Sequence, residues 1–427
     1  MSPQMNRPER VVVVGASLAG ARAAHSIRAA GHDCALTLIG AESHLPYDRP
    51  PLSKEFLTGE REAHQLMLDA DGAYDELDVE VMLGTAAVGL DLENRTVAVA
   101  PAANGSASGD SRATVPFDAL VIATGAAARP LPRTEGIEGV HTLRTLDDST
   151  AIRDGLVAGA RVAVVGGGFI GSEVAASAKV RGCEVTVIEA ASAPLVRGLG
   201  AEMGTRVGAL HNQNGVELRL GVGVEGVLGS DRVEAVAMAD GSRIEADLVV
   251  VGIGVVPNTG WLEGSGLQID NGVVCDATLC CGPQGVYAVG DVARAPNGWL
   301  APLYGESPIR VEHWTAAVEH GMAVGRNLMA PDEAQPYDSV PFVWSDQYDA
   351  RIQVAGHPDA DDDVEVLVGS AADVSDTGRS FLAGYRRDGR LSAVMALDSI
   401  RPFVRFRRLL AGHPTWDEAL ELAATLR

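Results

Sequence analysis

Runs of β-branched apolar residues, each followed by a glycine turn and an alanine-rich stretch, stand at two places in the chain. Residues 10–42 read as an apolar strand, a turn, a helix that ends near a glycine, and a second strand that ends at an acid. Residues 161–190 repeat this order. The apolar strand runs and the helical spacing between them predict a strand–helix–strand unit in each stretch.

The two glycine turns predict dinucleotide binding. The second turn, GGGFIG at residues 166–171, carries the complete pattern G-x-G-x-x-G, whereas in the first, GASLAG at residues 15–20, Ser17 replaces the middle glycine. The glycines permit a tight turn and close packing, and the helix N-terminus offers free N–H groups to a pyrophosphate. One such turn is weak evidence, but two in the same frame predict two dinucleotide-binding domains. We expect Ser17 to have an ordinary negative φ and to approach the nucleotide.

Each unit ends in an acid that is expected to accept hydrogen bonds from a ribose. Glu189 ends the second unit, whereas Glu42 lies two residues later than usual, after Gly40, which leaves its role open. A carboxylate at position 189 repels a 2′-phosphate, and the next residues, Ala190 and Ala191, supply no cation. The sequence therefore predicts NADH rather than NADPH, with Arg197 as the nearest cation.

The downstream segments are also duplicated. An apolar strand follows each unit, at residues 118–125 and 247–254, and a hairpin is predicted before each, around residues 94–116 and 232–244. The loop at residues 103–111 is rich in Gly and Ser, which predicts a surface insertion. A further short strand ends in Gly290 and Asp291. An acid there can reach a cofactor over the sheet, and the alternative is a helix cap.

Composition narrows the class of protein. A chain of 427 residues with 46% hydrophobic residues and 49 glycines is typical of a compact α/β enzyme with two or three domains. The net charge of −23 disfavours nucleic acid and anionic membranes as partners. No apolar stretch has membrane-span length and no secretory signal is visible, so a cytoplasmic protein is expected. The five cysteines form no metal-type or C-x-x-C pair, so no metal site and no redox disulfide are expected. Monomer and homodimer both remain open.

Several motifs together resemble one family, the FAD-dependent NADH:ferredoxin reductases of the putidaredoxin and rhodocoxin reductase type. These enzymes serve bacterial oxygenases and cytochromes P450. The resemblance covers nearly the whole chain, and RPPLSK combined with R-x-E-x-W is its most specific part. The motifs are RPPLSK (49–54), ATG (123–125), GGGFIGSE (166–173), GDVA (290–293), RVEHWTAAVEHG (310–321) and FVWSDQYDARIQVAG (342–356).

The resemblance implies that the first turn binds FAD and the second binds NAD. It places Lys54 beside the flavin, with Glu173 as its partner, and Trp314 along the flavin or, alternatively, in packing between domains. A held cation stabilises the negative charge of a reduced flavin. The expected FAD contacts are Gly15, Ser17, Leu18, Ala19, Gly20, Glu42, Arg49, Pro50, Lys54, Ala87, Ala123, Thr124, Gly125, Arg144, Gly290, Asp291, Glu312, His313, Trp314 and Ala317. The expected NAD contacts are Gly166, Gly168, Phe169, Ile170, Gly171, Glu173, Glu189, Arg197, Gly252, Ile253 and Gly254.

The expected reaction passes hydride from NADH to the flavin and then single electrons to a 2Fe–2S ferredoxin. Ferredoxins are usually acidic, so a basic patch is needed for docking. Arg401, Arg405, Arg407 and Arg408 are candidates, unless they pair with internal acids or form a dimer contact. Two other functions stay open: an NADH oxidase or quinone/small-molecule reductase, and a redox-sensing flavoprotein resembling apoptosis-inducing factor.

The expected fold class is α/β, with two Rossmann-like dinucleotide-binding domains, as in glutathione reductase, followed by a C-terminal α+β domain. The predicted domains are an FAD domain in two segments (1–145 and 250–330), an NAD domain (146–249) and the C-terminal domain (331–427). In the C-terminal domain, strands are predicted at residues 342–346, 351–356 and 363–369, and helices near 401–411 and 415–425.

Overall fold

The computed structural model describes residues 7–31, 33–102, 112–283, 285–370 and 380–426. The insertion predicted at residues 103–111 lies outside the described residues. Packing divides the chain into two compact units. The first unit comprises Met1–Asp48, Met67–Ala127 and Val256–Pro341, and the second comprises Arg49–Leu66, Ala128–Val255 and Phe342–Arg427. These units are drawn on packing, and the four domain segments predicted above stay a prediction.

The elements follow in chain order. The strands are β1 Arg10–Val14, β2 Ala35–Ile39, β3 Val79–Met82, β4 Thr85–Asp91, β5 Thr96–Pro101, β6 Ala113–Pro116, β7 Ala119–Ile122, β8 Ala126–Ala128, β9 Val140–Thr142, β10 Arg161–Val165, β11 Glu184–Glu189, β12 Glu217–Leu220, β13 Val224–Leu228, β14 Ala235–Met238, β15 Arg243–Glu245, β16 Leu248–Val251, β17 Val255–Pro257, β18 Val273–Val274, β19 Val286–Ala288, β20 Ala293–Arg294, β21 Phe342–Gln347, β22 Ala350–Gly356, β23 Asp363–Gly369, β24 Phe381–Arg387 and β25 Arg390–Leu397. The helices are α1 Leu18–Ala29, α2 Glu55–Thr58, α3 Ala73–Glu76, α4 Leu146–Gly155, α5 Phe169–Val180, α6 Val196–Gln213, α7 Ala301–Tyr304, α8 Trp314–Met329, α9 Ile400–Leu410 and α10 Trp416–Ala424.

The first unit is built on a parallel sheet with the strand order β19-β7-β1-β2-β3. Its central strand is buried from Val11 to Val14 because a parallel sheet is covered on both faces. Helices α1 and α8 pack closely, since a Cβ at Gly321 of α8 would lie 2.6 Å from the Ala19 carbonyl oxygen of α1. The antiparallel strands β4, β5 and β6 include the first predicted hairpin.

The second unit repeats this design and adds a further sheet. Its parallel sheet has the order β12-β11-β10-β16-β9, and its small antiparallel sheet, β13-β14-β15, includes the second predicted hairpin. The last segment forms an antiparallel sheet, β21-β22-β25-β24-β23, with helices α9 and α10. Tyr385 of this sheet donates to the Leu199 carbonyl of α6 at 2.7 Å, and the two elements share one apolar core.

The predicted fold class is confirmed, and so are the three strands and two helices predicted near the C-terminus. Strands β24 and β25 were missed. A signal for them was present, because Asp388 and Gly389 stand between paired Arg387 and Arg390, and both have a positive φ, of 49° and 74°. Asp-Gly is a favoured two-residue hairpin turn. Among the described residues, no helix is both long and apolar enough to span a membrane.

An arginine and an aspartate form the same hydrogen bonds at the start of both parallel sheets, and we call each such pair an arginine–aspartate clamp. In the first, the Arg10 backbone N–H donates to Asp118 Oδ2 at 2.9 Å and its guanidinium to Oδ1 at 2.7 Å. In the second, Arg161 makes the same two bonds to Asp247, at 2.9 and 2.6 Å. The duplication seen in the sequence therefore extends to side-chain hydrogen bonds that join the central strand of each parallel sheet, β1 or β10, to the residue before its neighbour, β7 or β16.

Candidate active site and nucleotide turns

The first turn joins β1 to α1 and leaves no room for side chains at two of its glycines. Gly15 has a φ of +122°, and a Cβ there would lie 2.1 Å from the Ala123 carbonyl oxygen. A Cβ at Gly20 would lie 2.0 Å from the Gly15 carbonyl oxygen. Ser17 has a φ of −133° and a ψ of −168°, so the ordinary conformation predicted for it is confirmed. Its approach to a nucleotide stays a prediction.

The second turn joins β10 to α5 in the same way. Gly166 has a φ of +104°, and its Cβ would lie 2.4 Å from the Gly252 carbonyl oxygen, while a Cβ at Gly171 would lie 2.0 Å from that of Gly166. The middle position is different, because among the described residues, its chain neighbours aside, none has a heavy atom within 4 Å of a Cβ placed on Gly168. The turn therefore has open space where a pyrophosphate would approach its backbone, and it fits a dinucleotide.

The acid of the second unit is bonded to its own turn. Glu189 Oε2 accepts from the Gly167 backbone N–H at 2.7 Å, and Oε1 accepts from that of Ala191 at 2.8 Å. These two bonds fix the carboxylate beside the glycine turn. Arg197, the predicted nearby cation, has a guanidinium nitrogen 4.0 Å from a Cβ placed on Gly254.

The acid of the first unit is held differently. Register pairs Val14 with Ile39 in the first sheet and Val165 with Ile188 in the second, so Gly40 rather than Glu42 is the structural equivalent of Glu189. Glu42 Oε2 instead accepts from the Tyr47 hydroxyl at 2.5 Å. Its expected ribose contact stays a prediction.

Three predicted FAD contacts of the first unit come together around Gly290. A Cβ on Gly290 would lie 3.0 Å from the Ala19 Cβ and 3.8 Å from the Ala317 Cβ. The Gly290 N–H donates to His320 Nδ1 at 3.2 Å. Burial lowers the pKa of His320 to about 4, so the imidazole is neutral at pH 7 and can accept this bond. Sequence reasoning missed His320.

The aromatic and acidic motif at the start of α8 is fixed within the first unit. Trp314 Nε1 donates to Asp48 Oδ1 at 2.7 Å, which orients the indole. Arg310 pairs with Glu312 at 2.6 Å and also donates to the Asp291 carbonyl oxygen at 3.3 Å. Glu312 and Asp291 are therefore joined through one buried arginine.

The predicted pair of Lys54 and Glu173 is present in the second unit. Lys54 Nζ lies 2.7 Å from Glu173 Oε2, and the two side chains are only 12% and 6% exposed. Two serines also donate hydrogen bonds to the Glu173 carboxylate. Ser53 Oγ donates to Oε2 at 2.5 Å, and Ser345 Oγ donates to Oε1 at 2.7 Å. A buried carboxylate needs such partners, because an uncompensated charge in the interior is costly. Neither serine was named from the sequence.

Two further serines anchor the segment that carries the lysine. Ser149 of α4 donates to the Leu52 carbonyl at 2.6 Å, and Ser177 of α5 donates to the Ser53 carbonyl at 2.6 Å. The backbone just before Lys54 is thereby bonded to both helices. The position of the Lys54 ammonium is therefore restricted in two ways, by the anchored backbone that precedes the lysine and by the Glu173 carboxylate.

The remaining predicted residues are distributed between the units. Of the expected FAD contacts, Arg49, Pro50, Lys54 and Arg144 belong to the second unit and the others to the first. Their positions are as follows: Leu18 is buried at the start of α1, Ala87 lies in β4, Thr124 Oγ1 donates to the Asn258 carbonyl, Gly125 accepts from the Asn258 N–H, His313 precedes α8, Arg49 donates to the Arg144 carbonyl, Pro50 opens a short 3-10 turn, Phe169 and Ile170 open α5, and Ile253 follows β16.

The predicted docking arginines lie on α9. Arg401, Arg405 and Arg408 are exposed, whereas the guanidinium of Arg407 lies 4.2 Å from the centre of the Phe342 ring and is half-buried. Within the part of the chain that the structure describes, none of the four forms an ion pair. The alternative of pairing with internal acids therefore finds no support among the described residues.

The cysteines are free thiols, with Cys34, Cys183 and Cys275 buried. Burial raises the pKa of Cys34 and of Cys183, which disfavours the reactive thiolate. In the described residues, no group of three or more His, Cys, Asp and Glu side chains is suited to a metal ion.

Family models match both parts of the chain. Residues 9–321 match the pyridine nucleotide-disulphide oxidoreductase model, and residues 342–424 match a reductase C-terminal model. The chain therefore belongs to the pyridine nucleotide-disulphide oxidoreductases, and the predicted enzyme class is confirmed. Membership implies the use of a flavin and of NAD(P)H.

Named relatives narrow the class to ferredoxin reductases. The ferredoxin–NAD(+) reductase component of the anthranilate 1,2-dioxygenase system of Burkholderia cepacia is 35% identical over 94% of this chain and 93% of its own. Rhodocoxin reductase of Rhodococcus erythropolis is 34% identical over 94% and 89%. The crystal structure of the covalent putidaredoxin reductase–putidaredoxin complex matches with a TM-score of 0.88 and 30% identity over 99% of both chains. The family resemblance predicted from the motifs is confirmed.

Proposed function

We propose that this chain is an NADH-dependent ferredoxin reductase that holds FAD on its first turn and NADH on its second. The observation that carries the proposal is the pair of turns, one in each unit, whose first and last glycines admit no side chain. When bound, FAD accepts hydride from NADH and gives up electrons one at a time. The N-termini of α1 and α5 supply the N–H groups that bind the two pyrophosphates.

In the first unit, the residues around Gly290 support FAD binding. A Cβ on Gly290 would lie 3.0 Å from the Ala19 Cβ, so the segment after β19 lies against the start of α1, and Asp291 follows directly after Gly290. Trp314, oriented by Asp48, supplies a flat apolar surface for an aromatic ring.

In the second unit, Lys54 and Glu173 support flavin chemistry. The family resemblance implies that this lysine lies beside the flavin, where an ammonium stabilises developing negative charge. The carboxylate of Glu173 keeps the ammonium in one place, because it is itself held by Ser53 and Ser345. Lys54 thus acts as a fixed charge and not as a proton donor in this proposal.

Glu189 supports NADH as the nucleotide. Its carboxylate is fixed beside the turn by two backbone N–H groups, where it accepts from ribose hydroxyls and repels a 2′-phosphate. We expect kcat/KM to be higher for NADH than for NADPH. A preference for NADPH would contradict this assignment.

The exposed arginines of α9 support an acidic 2Fe–2S ferredoxin as the partner, since complementary charge steers such encounters. Arg401→Glu with Arg405→Glu is expected to slow ferredoxin-dependent cytochrome c reduction while ferricyanide reduction stays at the wild-type rate. Arg61→Glu, which changes an exposed arginine of the same unit, serves as the control. Equal losses with both acceptors would remove α9 as the docking surface.

The test of the whole proposal is reduction of 2Fe–2S ferredoxins by NADH, with purified protein whose visible flavin spectrum is recorded first. We expect the purified protein to show an FAD spectrum that bleaches when NADH is added. We also expect the rate of ferredoxin reduction to be well above the rate of oxygen consumption. Oxygen reduction as fast with ferredoxin absent as with it present would instead favour an NADH oxidase.

A further inference from the structure

The carboxylate of Glu173 depends on a residue from a distant part of the chain. Two of its donors, Lys54 and Ser53, both bind Oε2. Among the described residues, Oε1 has a single donor, Ser345 Oγ at 2.7 Å, which comes from β21, 172 residues further along the chain. The hydrogen bond from Ser345 therefore helps to set the rotation of the Glu173 carboxylate about its Cγ–Cδ bond.

A second buried residue orients the serine. Gln347 Nε2 donates to Ser345 Oγ at 3.2 Å. Because that bond occupies a lone pair of the hydroxyl oxygen, the hydroxyl hydrogen is left to bond Glu173. Ser345 and Gln347 are both fully buried, two positions apart on one face of β21.

We propose that Ser345, supported by Gln347, is a positioning residue that acts through Glu173 to hold the Lys54 ammonium in place. This inference rests on the proposed function for the role of Lys54, but its geometry lies wholly within the second unit. It gives the reductase C-terminal segment a part in the hydride half of the reaction, in addition to any partner docking.

The need for such support follows from the chemistry of lysine. An ammonium on a four-carbon stem rotates freely and has no planar fork to fix its direction, unlike a guanidinium. The chain contains only two lysines, Lys54 and Lys179, among its 34 basic residues. Lys179 lies on the same helix as Glu173 and is partly exposed, so it serves as an internal reference in one molecule.

The test compares Ser345→Ala with Ser392→Ala in the purified flavoprotein. Ser392 lies in the same sheet, is equally buried, and donates to a carboxylate, Asp362, at 2.8 Å, so its variant controls for loss of a buried serine. The first readout needs no turnover: trace acetylation of Lys54 relative to Lys179, measured by mass spectrometry. We expect the ratio to rise about fivefold in Ser345→Ala, as loss of one hydrogen bond implies, and not to rise in Ser392→Ala.

The second readout is anaerobic flavin reduction by NADH. We expect its limiting rate to fall about 10- to 100-fold in Ser345→Ala with little change in NADH affinity, because a displaced charge alters the reacting geometry and not the nucleotide turn. Ser345→Cys introduces a weaker donor of similar size, and its rate is expected to lie between those of the wild type and Ser345→Ala. This variant keeps the test open if the alanine variant does not fold.

A double-mutant cycle with Glu173→Gln separates positioning from general stability. If Ser345 acts through Glu173, adding Ser345→Ala to Glu173→Gln leaves the rate and the labelling ratio nearly unchanged, whereas independent effects add. Additive losses, or an unchanged Lys54 labelling ratio in Ser345→Ala, would overturn the inference. Failure of the proposed function is distinguishable, because wild-type protein would then not be reduced by NADH although the labelling result would stand.

Discussion

The two glycine turns share one backbone design and differ at one place, where the residue after the first glycine meets the residue at or just after the end of the second strand. We call this place the crossing. In both, the last glycine lies so close to the first that a Cβ would come within 2.0 Å of a carbonyl oxygen. In the second turn, the residue after the first glycine is Gly167, and Glu189 fills the space beside it. In the first turn the corresponding residue is Ala16, and the position facing it is Gly40.

At the crossing, each unit carries a side chain on only one of the two facing residues: Ala16 faces Gly40, and Glu189 faces Gly167. A Cβ on Gly40 would lie 2.6 Å from the Ala16 Cβ, whereas a Cβ on Gly167 would lie 3.3 Å from Glu189. An alanine in the first turn thus excludes an acid at the usual position, and the carboxylate of that unit appears two residues later, at Glu42. The turn that we assign to NADH has its acid bonded to the glycine backbone, whereas the Glu42 carboxylate of the first unit accepts from the Tyr47 hydroxyl.

The strongest test of this comparison makes the same change in each turn. Gly20→Ala is expected to cost about 1–3 kcal/mol of stability, because backbone must move away from the new Cβ, and to release the flavin. Gly171→Ala is expected to raise the KM for NADH at least tenfold, about 1.4 kcal/mol, while the flavin stays bound. The measurements are the flavin-to-protein absorbance ratio and NADH kinetics.

A matched control exists for these variants. Gly168→Ser places at the middle of the second turn the residue that the first turn already has. In the described part of the chain, only its sequence neighbours approach a Cβ there within 4 Å. It is expected to keep the fold and the flavin. Loss of flavin in Gly171→Ala, with flavin retained in Gly20→Ala, would reverse the cofactor assignment.

The second test addresses the crossing itself. Gly40→Ala is expected to destabilise the protein by about 1–3 kcal/mol, because its Cβ overlaps that of Ala16. Adding Ala16→Gly removes the overlap and is expected to restore most of that loss, which gives a favourable coupling in a double-mutant cycle. Thermal unfolding of the four proteins measures it, and purely additive effects would show that the two positions do not compete.

These features divide what the sequence could predict from what it could not. Apolar β-branched runs ending in glycine turns predicted the parallel sheets, because those strands are buried on both faces. The sequence already shows Glu42 two residues beyond the usual place, but the reason, the close approach of Gly40 to Ala16, depends on the fold. Ser345 carried no readable signal, because it alternates with Phe342 and Trp344 and the sequence pattern alone would place it on the polar face of the strand. Its partner Glu173 is also remote in sequence, and only folding brings the two together.

The third test compares the two acids. Glu189→Gln is expected to lower the ratio of kcat/KM for NADH over NADPH roughly tenfold, because hydrogen bonds to a charged group are worth about 1.5–3 kcal/mol and repulsion of the 2′-phosphate is lost. Glu42→Gln, in the first unit, is expected to leave that ratio unchanged. Equal changes in both variants would show that the nucleotide preference does not reside in Glu189.

The smallest expected effects come from the arginine–aspartate clamps, in which the two units agree most closely. The side chains are about a third to a half exposed, so each clamp contributes little and solvent screens it. Hydrogen bonds from Arg161 lower the pKa of Asp247 from 3.8 to about 2, and those from Arg10 lower the pKa of Asp118. A depressed carboxyl pKa stabilises the fold above about pH 4, and that contribution is lost as the pH falls towards 2. Asp247→Asn is therefore expected to lower the Tm by about 2 °C at pH 7 and by less as the medium becomes acidic, with Asp118→Asn following the same trend. If the Tm difference between wild type and variant widened below pH 4, the direction of the pKa shift would be wrong. If only one of the two variants behaved in this way, the two clamps would not be equivalent.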